Sequence, residues 1–181
     1  MTAVVSLLRG INVGGRHMVA MEALRELYTS LGLKSPRTYV QSGNVVFATE
    51  RKDLAALARQ IETRIERDFG FRPSVIQRSA AELESVVARN PFAKRKGIEP
   101  GKLLVLFLAA DPDVEARRKV PAIKADPEEL RLDGREVYIY YPLGVGRSKL
   151  PFGSIEKALK VPATGRNWNT VTKLLEMARA L

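Results

Sequence analysis

TYVQSGNVVFA, residues 38–48, is the stretch on which the fold turns. Two runs rich in β-branched and aromatic residues flank Gly43-Asn44, and glycine followed by asparagine suits a two-residue hairpin turn. Residues 38–40 and 45–48 therefore read as consecutive antiparallel strands. Phe47 shares a face with Val40 in this pairing, which assigns Phe47 to the core.

Upstream, the apolar run at residues 3–8 reads as a buried strand, and residues 18–31 carry Met21, Leu24, Leu27 and Leu31 at helical spacing. Downstream, Leu54, Leu57, Ala58, Ile61, Ile65 and Phe69 form one stripe of a second helix that Gly70 ends. Residues 74–77 supply a fourth strand. Strand, helix, strand, strand, helix, strand is the order of the split βαβ, or ferredoxin-like, unit. In that topology strand three lies between strands one and two and antiparallel to both. The end of the first strand, at Arg9, then falls about 5 Å from Asn44, one ladder spacing away.

Beyond this unit the pattern recurs. Ser79 and Glu82 form a capping box for a helix carrying Leu83, Val86 and Val87, which Asn90-Pro91 ends. Residues 102–108 are again a continuous apolar run, and Asp111-Pro112 marks a helix start. LRLDGREVYIYY, residues 130–141, is a hairpin with Asp133-Gly134 in the turn and Leu130 opposite Val137. Helices at residues 153–160 and 168–180 complete the chain. The expected fold class is α+β, two similar small lobes of split βαβ order with antiparallel sheets packed by helices. The first lobe takes residues 1–90 with its extra helix, a linker covers 91–101, and an incomplete βαββα lobe without its last strand takes 102–181. The duplication is one of element order, with no residue-level repeat.

Composition bounds the chemistry. Thirty Lys and Arg against twenty Asp and Glu give a net charge of +10, so the surface field attracts anions, although the basic residues are scattered rather than clustered. The chain has no cysteine, which excludes disulfides, zinc thiolate sites and cysteine nucleophiles, and its single histidine excludes any site built on two imidazoles. No metal or cofactor is expected. The apolar run at 3–8 is far too short to cross a bilayer and lacks the basic flank of a signal peptide, so a soluble cytoplasmic protein without membrane attachment is expected.

Against that background LLRGINVGGR, residues 7–16, stands out, because a strand needs only one turn residue to end and this one runs into an arginine, an asparagine and three glycines. The spacing is neither the dinucleotide fingerprint nor a P-loop, which needs Gly-Lys-Ser/Thr at its end. The topology brings this loop to the same sheet edge as QSGN at 41–44, and it leads into the first helix, whose leading N–H groups favour anions. The expected ligand residues are Arg9 as a charge-assisted fork, Gly10, Asn12 and Asn44 as amide donors and acceptors, Gly14 and Gly15 as a cradle, and Gln41 and Ser42 from the tip. The alternative is an ordinary flexible turn beside a surface ion pair.

TGRNWNTVTKLLEMARAL, from Thr164, adds Arg166, Asn167 and Asn169 at a helix N-terminus, with Asn167 as cap and Trp168 anchoring the helix in a core. GVGRSK, residues 144–149, reads as an ordinary surface loop, with a mobile loop closing over an anion as the alternative. His17 is a candidate acid or base, though a lone histidine is more often a surface or capping residue. No catalytic residue is assigned.

Together LLRGINVGG, TYVQSGNVVFA, the Asn90-Pro91-Phe92 triplet, Ser148-Lys149-Leu150 and RNWNTVTKLLEMA make a pattern that resembles the bacterial domain of unknown function 1697 family over nearly the whole chain. The resemblance implies a compact α+β protein of two similar lobes and implies no activity. Its motif residues here are Arg9, Gly10, Asn12, Gly14, Gly15, Gln41, Ser42, Gly43, Asn44, Ser148, Lys149, Arg166, Asn167, Trp168, Asn169 and Thr170.

Three classes of function follow. A small phosphate- or carboxylate-bearing ligand, bound between the glycine loop and the QSGN tip, is favoured, with enzyme and simple binder both open. An RNA- or DNA-binding module is disfavoured, because recognition domains of this topology stack bases on exposed aromatics and the central strands offer only Phe47. A self-associating structural protein, pairing through the edge of the incomplete lobe, is the third.

Overall fold

The computed structural model describes residues 1–150 and 152–181. Among them lie two four-stranded antiparallel sheets and six α-helices, an α+β fold of two similar lobes. The chain divides into two compact units, Met1–Ser85 with Lys173–Leu181, and Val86–Thr172.

The first unit runs β1 (Thr2–Leu8), α1 (Met21–Ser30), β2 (Lys34–Tyr39), β3 (Asn44–Thr49), α2 (Leu54–Phe69), β4 (Val75–Ser79), and α3 (Ala80–Ala88) follows. The sheet order is β2-β3-β1-β4, the split βαβ order read from the sequence. Local chemistry sets the helix ends. Asp53 accepts a 2.8 Å bond from the Ala56 amide at the start of α2, and Gly70, at φ 79°, turns the chain out of it. Ser79 and Glu82 exchange side-chain to backbone bonds in the expected capping box. On one face of the sheet Val4, Leu8, Val45 and Phe47 pack with Leu24, Leu27, Tyr28, Leu57 and Ile61. The residues that alternate with these, Val5, Leu7 and Val46, are fully buried as well.

The first hairpin differs from expectation at its tip. Tyr39 pairs with Asn44, so the turn has four residues, 40–43, and Asn44 belongs to the strand. The cause is the Asn44 amide, which is fully buried and donates to the Tyr39 carbonyl at 2.9 Å and to Ser42 Oγ at 3.0 Å. Val40 is therefore no core residue. It is half exposed and sits at φ 49°, a conformation that β-branched residues rarely adopt.

The second unit runs β5 (Leu103–Leu108), α4 (Val114–Lys119), β6 (Glu129–Asp133), β7 (Glu136–Tyr140), α5 (Phe152–Leu159), β8 (Ala163–Asn167), and α6 (Trp168–Arg179) follows. Its sheet order, β6-β7-β5-β8, repeats the first. The expected missing strand is thus present, as ATGRN. It lacks alternating β-branched residues and forms because β5 offers it a backbone ladder from Leu104 to Leu108. The second hairpin is also shifted. Leu132, not Leu130, faces Val137, because the two-residue turn is Gly134-Arg135, with Gly134 at φ 58° in the first turn position. The cap of α4 is Asp113, which accepts from the Ala116 amide, rather than the Asp111-Pro112 pair. Trp168 is only half buried, and the apolar stripe of α6 is carried by Val171, Leu174, Leu175 and Ala178.

Register places a buried polar residue at the same two positions of both sheets. Asn44 stands opposite Leu7 at the start of β3, and Glu136 stands opposite Phe107 at the start of β7. Arg78 pairs with Val5 and Arg166 with Val105. All four polar side chains are buried.

Candidate functional site

The loop between β1 and α1 and the tip between β2 and β3 meet in the first unit. The Leu8 amide donates to the Gly43 carbonyl at 2.8 Å, and Asn12 Nδ2 donates to the Gln41 carbonyl at 2.9 Å. The topology alone produces this meeting, since β1 and β3 are adjacent and antiparallel.

Within the loop the side chain of Asn12 behaves like a strand partner. Its Oδ1 accepts from the Val19 amide at 2.8 Å and its Nδ2 donates to the Val19 carbonyl at 3.1 Å, while its own amide donates to the His17 carbonyl. Asn12 tolerates the required φ of 53° because a short polar side chain makes the left-handed conformation less costly. Replacing Asn12 with alanine is expected to cost about 1–2 kcal/mol of stability, since three side-chain bonds vanish at a half-buried position. A denaturant melt of the variant checks this.

Gly14 and Gly15 close a turn of their own. Val13 and Arg16 form a β-bridge, and the glycines, at φ 58° and 72°, close a tight turn between them. This small hairpin projects with Val13, Gly14, Gly15 and Arg16 all exposed. It stands well before Met21, so the glycines are not a cradle at the helix N-terminus. That terminus has Ala20 as an uncapped N-cap residue and Glu22 in its first turn, where a carboxylate already complements the dipole. His17, at φ 51°, donates from Nδ1 to the Gly10 carbonyl at 3.1 Å and stacks on Phe71 with ring centroids 4.4 Å apart. Arg9, Gly10, Gln41 and Ser42 are exposed, and the Arg9 amide bonds the Ser74 carbonyl. The amides of Asn12 and Asn44 are occupied in shaping the two turns.

The second cluster is built otherwise. Arg166 is buried, with its guanidinium donating at 2.8 Å to both Thr164 Oγ1 and the Gly165 carbonyl, and burial lowers its pKa to about 10. Asn167 caps α6 by accepting from the Thr170 amide, and Asn169 is exposed. These three residues lie in the second unit, whereas the loop and tip lie in the first. GVGRSK forms a short 3₁₀ turn at Val145–Arg147. The element that sequence reasoning missed is the small hairpin itself, whose only local signal was the glycine pair.

The family model for Protein of unknown function (DUF1697) matches residues 1–138. The chain belongs to the DUF1697 family. A solved structure, the conserved bacterial protein SP0830 from Streptococcus pneumoniae, is similar with 28% sequence identity and a TM-score of 0.74, covering 98% of each chain. No curated protein matches the chain at a significant level. The match to the DUF1697 model contains the glycine loop and the hairpin tip entire. No helix among the described residues of this family member is long and apolar enough to cross a membrane.

Proposed function

We propose that this DUF1697 protein binds a small phosphate- or carboxylate-bearing ligand at the exposed surface where the first loop meets the first hairpin tip. Arg9 supplies charge, and Gln41, Ser42 and the projecting turn at 13–16 supply polar contacts. Asn12 and Asn44 position these groups rather than touch the ligand, and buried Arg166 is omitted from the contact set.

The observation that carries the reading is the comparison between lobes. By register Ala109 occupies in the second lobe the place of Arg9, and its amide bonds Pro162 as that of Arg9 bonds Ser74. There the connection to the helix is Ala110-Asp111-Pro112-Asp113, with no glycine and no arginine, and the strand crossing is the same. The fold therefore does not require the arginine and glycine loop. Strain supports the same surface, since Val40 and His17 are held in left-handed conformations that cost about 1–3 kcal/mol each. A net charge of +10 favours an anion.

Melting curves with inorganic phosphate, pyrophosphate, nucleoside monophosphates and short carboxylates test the proposal. A ligand at a hundred times its Kd is expected to add about 2.7 kcal/mol to the wild type, and Arg9→Ala is expected to lose most of that gain. If no anion protects the wild type more than the Arg9→Ala variant, the proposal fails. The sheet offers no platform for stacked bases, because Phe47 is fully buried against Tyr28.

A further inference from the structure

The helices of the second lobe are shorter than those of the first. Where the first has helices of ten and sixteen residues, α4 has six and α5 has eight, and α4 continues only as a 3₁₀ turn at Val120–Ala122. Between that segment and the edge strand β6 lies a cleft of about 550 Å³, a size that accommodates a small organic ligand. Its walls include Val120, Ile123, Leu130 and Leu132.

Glu128 also lines this cleft and is only 8% exposed. The other charged side chains on the walls are engaged. Arg117 is held by Asp111 and the Pro112 carbonyl, Glu129 by Arg95, and Arg131 by the Leu130 carbonyl and Glu129. Glu128 has no hydrogen bond or ion pair among the described residues. The nearby Tyr141 hydroxyl does not relieve it, being itself buried without a partner. Burial raises the Tyr141 pKa, and the negative charge of Glu128 raises it further. The Glu128 side chain is thus nine-tenths covered and lines the cleft, and no cationic side chain of the wall neutralises it, which leaves the place of a counter-ion to a group from outside the chain.

We propose that the cleft binds a small organic cation, an amine carried on an apolar body, with Glu128 as its counter-ion and the aliphatic walls covering the body. This site is separate from the anion surface of the first lobe, and neither depends on the other.

Three probes of equal shape decide the matter: phenethylamine, 2-phenylethanol and 3-phenylpropionate, each titrated into the full chain and followed by amide chemical shifts. The amine is expected to give saturable shifts in residues 120–132, with the alcohol and the carboxylate at least about tenfold weaker. Glu128→Gln is expected to weaken the amine about tenfold and to leave the alcohol unchanged, while Glu128→Asp keeps the preference for the amine. Glu128→Gln is also expected to melt no lower than the wild type, since it breaks no hydrogen bond or ion pair of the described residues. Equal binding of the three probes, no saturable shift with the amine, undiminished amine binding by Glu128→Gln, or a melting point several degrees lower in that variant would each overturn the assignment.

Discussion

Replacing Gly43 with alanine is expected to destabilise the first lobe by about 2–5 kcal/mol, far more than the addition of one methyl group suggests. Two costs add. Gly43 sits at φ 79°, where an L side chain costs about 1–2 kcal/mol. A Cβ there would also come within 2.9 Å of Ile11 Cδ1, Ile11 Cγ1 and Leu8 Cβ, and these atoms belong to fully buried residues that cannot swing away. Overpacking of this kind costs about 1–3 kcal/mol. Gly14→Ala and Gly15→Ala serve as controls, because both share the positive φ but have nothing within 4 Å of the new atom. They should lose only the conformational part, about 1–2 kcal/mol. Thermal melts at about 2–4 °C per kcal/mol separate the two cases, and equal shifts at all three glycines would show that the tip is not packed against the loop.

Phe47→Ala is expected to cost about 3–5 kcal/mol, the largest single effect in the first lobe. The ring is fully buried on β3 and meets Tyr28 edge to face, with centroids 5.3 Å apart at 66°. Its removal leaves a cavity between the sheet and α1 that neighbours on regular elements cannot fill. Equilibrium unfolding in urea gives the number directly. A loss below about 1 kcal/mol would mean that the ring lies at the surface, and would return the base-stacking alternative to consideration.

The candidate site was legible in the sequence as a place and illegible as an arrangement. Arg9 and the QSGN tip could be brought together because adjacency of β1 and β3 follows from element order alone. The roles of the individual amides could not. Asn12 and Asn44 look identical on paper to ligand-contacting residues, yet the partners that occupy them, the Val19 and Gln41 backbone for one and the Tyr39 carbonyl for the other, are set by how two turns happen to pack. Glu128 carried no signal at all. Its isolation arises from the short α4 and from where Arg117 and Arg131 find their partners.

By itself the sequence determined what depends on near neighbours along the chain. The stripes of α1 and α2, the Gly70 terminus, the Ser79 and Glu82 capping box and the order of the first four strands all rest on residues within a few positions of one another. Only the tertiary structure decided the existence of β8, the registers of both hairpin tips and the burial of Arg78 and Arg166. A strand as weak in local preference as ATGRN forms only when a neighbouring strand supplies its hydrogen bonds, and an arginine is buried only when the surrounding chain has already met its needs. Those are interactions between residues far apart in sequence, and their free energy has no local pattern to announce it.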